Sequence, residues 1–339
     1  MVLFQKVLAY INPERPDQPV LDLVGKVAGR DAQVDLIHVV EAMPWYSRVL
    51  GGTASIEEAQ MLDLKERLDA LARSLLDRGL RASSTVLRGK RSLEVTRTVI
   101  SKGHDLLLKE AEAEHPGELG TPDLRLLRSC PCPVWIVRPA VAGGVRIKRV
   151  LAAVNPRSED EEYDPFGIDS QADSAVDSCP KRENALNQRI MELALWAASL
   201  EGGEVHVVHA WRVPGEERLR RNPHAEQAEV EAYVQSIAAE ARARFDTLVT
   251  PFSTREVPVH PHFSKGHPAD AIAHLLADQQ IDLLVMGTVA RTGIAGYVIG
   301  NTAETVLAKA DCSLLAIKPE GFVSPVRADG GTEQQQRSP

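Results

Sequence analysis

The sequence predicts an α/β chain made of two tandem domains, each a five-stranded parallel sheet with helices on both faces. Short apolar runs alternate with segments of helical period, the pattern of buried strands joined by crossover helices. The pattern also repeats. Lys6-Val-Leu-Ala-Tyr-Ile-Asn-Pro13 returns as Arg149-Val-Leu-Ala-Ala-Val-Asn-Pro156, and Ile37-His-Val-Val-Glu-Ala42 as Val205-His-Val-Val-His-Ala210. Spacings repeat with it: Gly89 and Asp105 stand 16 residues apart, as do Gly266 and Asp282, while Gly120 and Pro139 stand 19 apart, as do Gly300 and Pro319. Four matches in one order read as a duplication. The expected domains are residues 1–140 and 146–320, followed by a polar tail, 321–339, with the composition of disorder.

In the first copy, strands are expected near Lys6 to Ile11, Val34 to Val40, Ala82 to Leu87, Asp105 to Leu108 and Pro133 to Val137. Helical spacing joins Val20, Leu21, Val24, Val27 and Ala28, and then Leu62, Leu64, Leu68, Leu71, Leu75 and Leu76 in a long second helix. Leu93 to Ile100 and Leu124 to Leu127 supply two more. The second copy repeats the strands at Lys148 to Val154, Glu204 to Ala210, Glu256 to Phe263, Ile281 to Met286 and Ser313 to Ile317.

Bulk properties narrow the function classes. The 339 residues carry a net charge of -8, which argues against sequence-independent binding to nucleic acid or to anionic membranes. No apolar run approaches the roughly 20 residues of a membrane span, and Met1 to Lys6 lacks the basic start of a signal peptide, so the expected location is the cytoplasm. Cys130, Cys132, Cys179 and Cys312 have neither zinc nor redox-pair spacing and read as unbridged thiols. No metal site and no catalytic residue is expected. Gly89-Lys90 lacks the Walker spacing, and no Gly-x-Ser-x-Gly elbow occurs. His260-Pro-His262 reads as a solvated strand face, and His206 and His209, three apart on a strand, point to opposite faces.

The stretch from Ile281 to Glu304 is the most informative. A short apolar run meets a loop with Gly287, Gly293, Gly296 and Gly300, and Asn301-Thr302 open a helical pattern. Such a loop turns backbone N–H groups toward an anion. At these residues the chain resembles the universal stress proteins, whose nucleotide-binding members carry Gly-x2-Gly-x9-Gly-Ser/Thr after the fourth strand. Gly287-x2-Ala290-x9-Gly300-Asn301 keeps the spacing, with Ala290 and Asn301 at two of the four positions. The resemblance implies two Rossmann-like domains of the HUP type, similar to the tandem branch of the family, with ATP or another phosphate-bearing ligand in the second domain. It also implies a cytoplasmic bacterial protein serving stress survival. Single-domain relatives dimerise through their last strands, so Pro133 to Val137 and Ser313 to Ile317 are expected to meet across a pseudo-two-fold axis within one chain, an intramolecular pseudo-dimer, with a homodimer as a further arrangement.

Ligands of such sheets bind beyond the carboxyl ends of the strands. In the second copy the candidate ligand-binding residues are Asn155, Pro156, His209, Gly266, Gly287, Thr288, Arg291, Gly300, Asn301 and Thr302. Asn12 and Asn155 stand where nucleotide-binding relatives place an adenine-contacting Asp; the alternative is that each only starts an Asn-Pro turn. The first copy's loop is shorter and carries Glu110, Glu112 and Glu114, which are expected to repel phosphate. Residues 157–183 form an acidic insertion with no counterpart in the first copy, either a lid or a solvated loop. The functional reading is a stress-response protein that binds a small ligand or a protein partner. A nucleotide hydrolase using Asn155 and the loop from Gly287 to Thr302, and a ligand-free scaffold, remain open.

Overall fold

The computed structural model describes residues 4–15, 18–41, 53–112, 119–138, 144–157, 180–253, 256–288, 300–307 and 310–328. Most of the acidic insertion, the tail beyond 328, and Arg291 with most of its loop lie outside these residues. The chain divides into two compact units. The first takes in the chain up to Arg146, Ser313–Ala316 and the segment from Phe322; the second takes in Ile147–Cys312 and Ile317–Gly321.

In the first unit β1 (Phe4–Tyr10) lies between β2 (Ala28–Val40) and β4 (Leu106–Glu110), with β3 (Arg81–Arg88) outside β2 and β5 (Val134–Val137) outside β4. All four pairings are parallel. Helices α1 (Pro19–Val27), α2 (Thr53–Asp77), α3 (Arg91–Lys102) and α4 (Thr121–Ser129) make the connections. The strand β2 starts six residues earlier than its apolar pattern suggests, because Phe4 pairs with Ala28 and Lys6 with Gln33 across an irregularity that absorbs the extra residues. In α2, Leu64, Leu68 and Leu75 are buried but Leu62 and Leu76 are exposed, so the core stripe is narrower than the leucine pattern suggested. The fifth strand of the second copy, β10 (Ser313–Ile317), lends Ser313–Ala316 to this unit, pairing antiparallel with β5: Leu314 faces Ile136, Leu315 faces Trp135 and Ala316 faces Val134. The expected meeting of the last strands is present as this ladder.

In the second unit β6 (Arg149–Ala153) lies between β9 (Leu283–Gly287) and β7 (Glu204–Trp211), and β8 (Val259–Lys265) pairs with β7, all parallel. Its helices are α5 (Pro180–Ser199), α6 (Glu216–Arg221), α7 (Gln227–Val249), α8 (Pro268–Asp278) and α9 (Asn301–Leu307). Among the described residues no helix is long and apolar enough to cross a membrane.

The duplicated spacings now have causes. A parallel strand buried on both faces must still satisfy its first N–H groups. Asp105 accepts from the amides of Gln5 and Lys6 at 2.7 and 3.0 Å, and Asp282 accepts from those of Lys148 and Arg149 at 3.0 and 2.9 Å. Gly89 and Gly266 both take positive φ, 151° and 138°, at the turns that follow β3 and β8. One sequence match is corrected. Val7 pairs with Val34 and Val150 with Val205, so the counterpart of Ile37-His38 is Val208-His209, three residues beyond the match by letters. The side chains confirm it: His38 Nδ1 meets the Ile11 carbonyl at 2.7 Å, and His209 Nδ1 meets the Val154 carbonyl at 3.3 Å.

Residues 1–140 expressed alone leave the β5 edge unpaired. They are expected to self-associate or aggregate through Val134 to Val137, as read by light scattering of the purified fragment. A soluble, stable monomer would remove the role given to β10.

Candidate functional site

The carboxyl edge of the first unit holds a cavity of about 550 Å³, bounded by the ends of β1, β2 and β4, by α2 and by the start of α3. Its floor is Tyr10, whose ring stacks on His38 with centroids 5.8 Å apart. The Arg91 guanidinium and the Lys109 ammonium lie 5.7 and 5.6 Å from the same ring centroid, within cation–π range. Burial pushes the Tyr10 hydroxyl well above the ordinary phenol range, so it stays protonated. Burial likewise moves His38 down, keeping its imidazole neutral.

The acids of the first copy's loop do not stand free. Glu110 pairs with Arg15, and Glu112 pairs with Arg91 and, at 3.1 Å, with Lys109. Glu114 lies outside the described residues. The centre of this arrangement is the fully buried pair of Lys109, at the end of β4, and Asp123, in the first turn of α4. Asp123 also accepts the Glu112 amide at 2.8 Å. The chain thus places its own carboxylate where strand, loop and helix start converge, in the region that a phosphate would occupy in a loop with free donors. Burial raises the Asp123 carboxyl, and the Lys109 ammonium opposes that rise. The turn closes where the Gly120 amide donates to the Glu112 carbonyl at 2.6 Å; a Cβ at Gly120 would lie 2.2 Å from that oxygen, so only glycine fits. Asn12 behaves as a turn starter, its Oδ1 accepting the Glu14 amide at 3.2 Å.

In the second unit the predicted residues divide. Gly287 ends β9, and Thr288 is buried, its amide donating to the Ile317 carbonyl at 3.3 Å. Gly300 donates to the Thr288 carbonyl at 3.3 Å, so the two ends of the glycine loop are tied together. Lys318, which sequence reasoning missed, donates from Nζ to Thr288 Oγ1 at 2.9 Å and brings positive charge to the base of that loop. Thr302 lies in the first turn of α9 behind Asn301. Asn155 and Pro156 follow β6, with the Asn155 amide held by Asn187 Oδ1 at 2.9 Å. Gly266 follows β8 in the positive-φ turn. His209 is buried against Phe245 and Phe263, with ring centroids 5.8 and 6.0 Å away. Arg291 lies outside the described residues.

On the opposite face of β7, His206 Nδ1 meets His262 Nε2 at 2.9 Å, and His260 meets Glu204 at 3.2 Å. The pair His260 and His262 is therefore only partly a solvated face, since His262 packs on a buried partner. Among the described residues no group of His, Cys, Asp and Glu is arranged to hold a metal ion. Cys130 and Cys132 are buried free thiols with sulfurs 3.5 Å apart.

Sequence position alone could not reveal Tyr10, Arg91, Lys109 or Asp123 as a group. The one available signal was an acid in the first turn of α4, which is common at helix starts.

Three comparisons agree with this architecture. The model of the Universal stress protein family matches residues 3–138 and 175–318. Universal stress protein E of Escherichia coli strain K12 is 28% identical over 97% of this chain and 98% of its own length. The protein of that name from Photorhabdus laumondii is 25% identical over 97% of this chain and 99% of its own. Among solved structures, a functionally unknown protein from Pseudomonas aeruginosa PAO1 superposes with a TM-score of 0.67 at 21% identity, covering 94% of both chains. A universal stress protein from Archaeoglobus fulgidus gives 0.53 at 15% identity, covering 93% of this chain and 96% of its own. At these identities the two structures speak for the fold alone.

Two outcomes follow from the buried groups. Lys109→Met leaves Asp123 buried without its cation and is expected to cost about 3–5 kcal/mol in urea unfolding, much of which Lys109→Met combined with Asp123→Asn should restore. His38, His206, His209 and His262 are all held below their ordinary value of 6.5, chiefly by burial. The unfolded chain therefore takes up protons that the fold refuses. Their stabilisation is full above pH 6.5 and falls as the pH drops below it. The urea midpoint should decline between pH 7.5 and 5.5, less steeply in His262→Gln.

Proposed function

We propose that this chain, which belongs to the universal stress protein family, serves a stress response by binding small ligands at the carboxyl edges of its sheets, with no reaction catalysed on them. The observation that carries this reading is the cavity of about 550 Å³ over Tyr10, within the roughly 300–1,000 Å³ of ordinary small-molecule sites. It lies where parallel α/β sheets bind ligands, at the edge beyond β1 and β4. The stress role rests on the family and on full-length relatives called universal stress proteins. A bacterial source is supported by the organisms of those relatives; the cytoplasm is inferred from the sequence.

A phosphate-bearing ligand such as ATP is assigned to the second unit, on Asn155, Pro156, His209, Gly266, Gly287, Thr288, Arg291, Gly300, Asn301 and Thr302. Supporting it are the intact loop spacing, the bond that ties Gly300 to Thr288, and the Lys318 ammonium beside the Thr288 hydroxyl. The buried imidazole of His209 sits beneath that edge, its Nδ1 meeting the Val154 carbonyl at 3.3 Å.

Isothermal calorimetry with ATP tests the assignment. Gly300→Val is expected to weaken binding by about 1–3 kcal/mol, the range for leaving polar groups unpaired, and Lys318→Met should weaken it in the same direction. Equal affinity in wild type and Gly300→Val would remove the loop from the site. Sustained release of phosphate from ATP with magnesium would replace the binding role with a hydrolase.

A further inference from the structure

The first-unit cavity has a charge pattern that separates it from a phosphate site. We propose that it takes an organic cation: an amine or guanidine on an apolar body that also carries one neutral hydrogen-bond acceptor. This rests on the reading of the cavity as a ligand site and adds the chemistry of the ligand.

The donors that an anion would need are already engaged. Lys109 and the Glu112 amide are held by the buried Asp123 carboxylate. Each arginine lining the cavity has a glutamate partner: Arg15 with Glu110, Arg88 with Glu57 and Arg91 with Glu112. Five glutamates line it against three arginines, and the two left over, Glu14 and Glu41, stand at the exposed rim. Glu41 comes no closer than 3.9 Å to Arg91 and is 63% exposed. A phosphate ester entering here would face net negative charge with no free cation among the described lining residues.

Two lining atoms are left over in a complementary way. Glu57 gives one oxygen to Arg88, while its other, Oε1, is buried with no hydrogen-bond partner. A carboxylate lone pair without a donor is costly, and a cationic N–H group relieves it. On the other side of the balance, Arg91 Nε is also buried without a partner and wants an acceptor. A neutral hydroxyl or carbonyl supplies that acceptor without adding negative charge beside Glu112. The walls from Ile11, Val20, Val39, Met61 and Leu64 fit the apolar body.

The test uses three probes of one shape on the full-length chain: tyramine, the neutral alcohol tyrosol and the carboxylate 4-hydroxyphenylacetate, followed by calorimetry or ligand-observed NMR. Tyramine is expected to bind at least about tenfold tighter than the carboxylate, with the alcohol between them. Glu57→Gln should remove most of that preference and leave the melting temperature little changed, because the Arg88 side chain is 41% exposed and can turn to water. Met61→Trp, which fills the cavity, should abolish binding of all three. If the carboxylate binds as tightly as tyramine and Met61→Trp blocks it, the cavity stands as a site and the cationic class is wrong. If none of the three binds, the cavity falls as a ligand site and the inference falls with it. Loss of the preference in Met61→Trp but not in Glu57→Gln would overturn the role given to Glu57.

Discussion

The buried ion pair between Lys109 and Asp123 is the interaction on which the first unit's carboxyl edge depends. A lysine and an aspartate with no solvent contact are tolerated only when each also has other partners. Here the ammonium reaches Glu112 and the Tyr10 ring, and the carboxylate takes the Glu112 amide. These secondary contacts fix the chain just past β4, and the Gly120 bond to the Glu112 carbonyl then closes the turn into α4. With Glu112 held, Arg91 is drawn over Tyr10, so the cavity floor takes its geometry from the pair beneath it.

The two copies solve the same local problem differently. At the end of β4 the first copy supplies an internal anion and an internal cation. At the end of β9 the second copy supplies glycine, a buried threonine and a bond between the loop ends, with Lys318 alongside. The same place in the two copies thus holds a self-satisfied polar network in one unit and, in the other, a glycine loop whose ends are tied together.

The features that did not diverge are those with backbone duties. Asp105 and Asp282 each satisfy two strand-opening amides, which no apolar residue could do. Gly89 and Gly266 hold positive φ at the turns after β3 and β8, where a Cβ would add strain. At the equivalent positions Asp35 and His206, by contrast, the two copies carry different side chains. Asp35 is held well below the carboxylate range, first by its bond from His104, whereas His206 is kept neutral by burial against His262. Position on the strand was preserved there, and chemistry was not.

The amino-acid sequence by itself determined the duplication, the succession of strands and helices along the chain and the places where the chain turns, because these follow from local periods and from residues with special backbone roles. It also determined that the second copy keeps the glycine spacing of its family. It located the second strand of that copy but matched it to the first copy three residues out of register, since His-Val-Val recurs in both copies and only the hydrogen-bond register with β6 separates the true match from the literal one. It read Glu110 and Glu112 as free negative charge, because their partners Arg15 and Arg91 lie far off in the chain. The tertiary structure decided those pairings, the burial of Lys109 on Asp123, the bond from Lys318 to Thr288 and the cavity over Tyr10. Each joins residues from different strands and helices, and charge pairing across such distances leaves no periodic trace in a sequence.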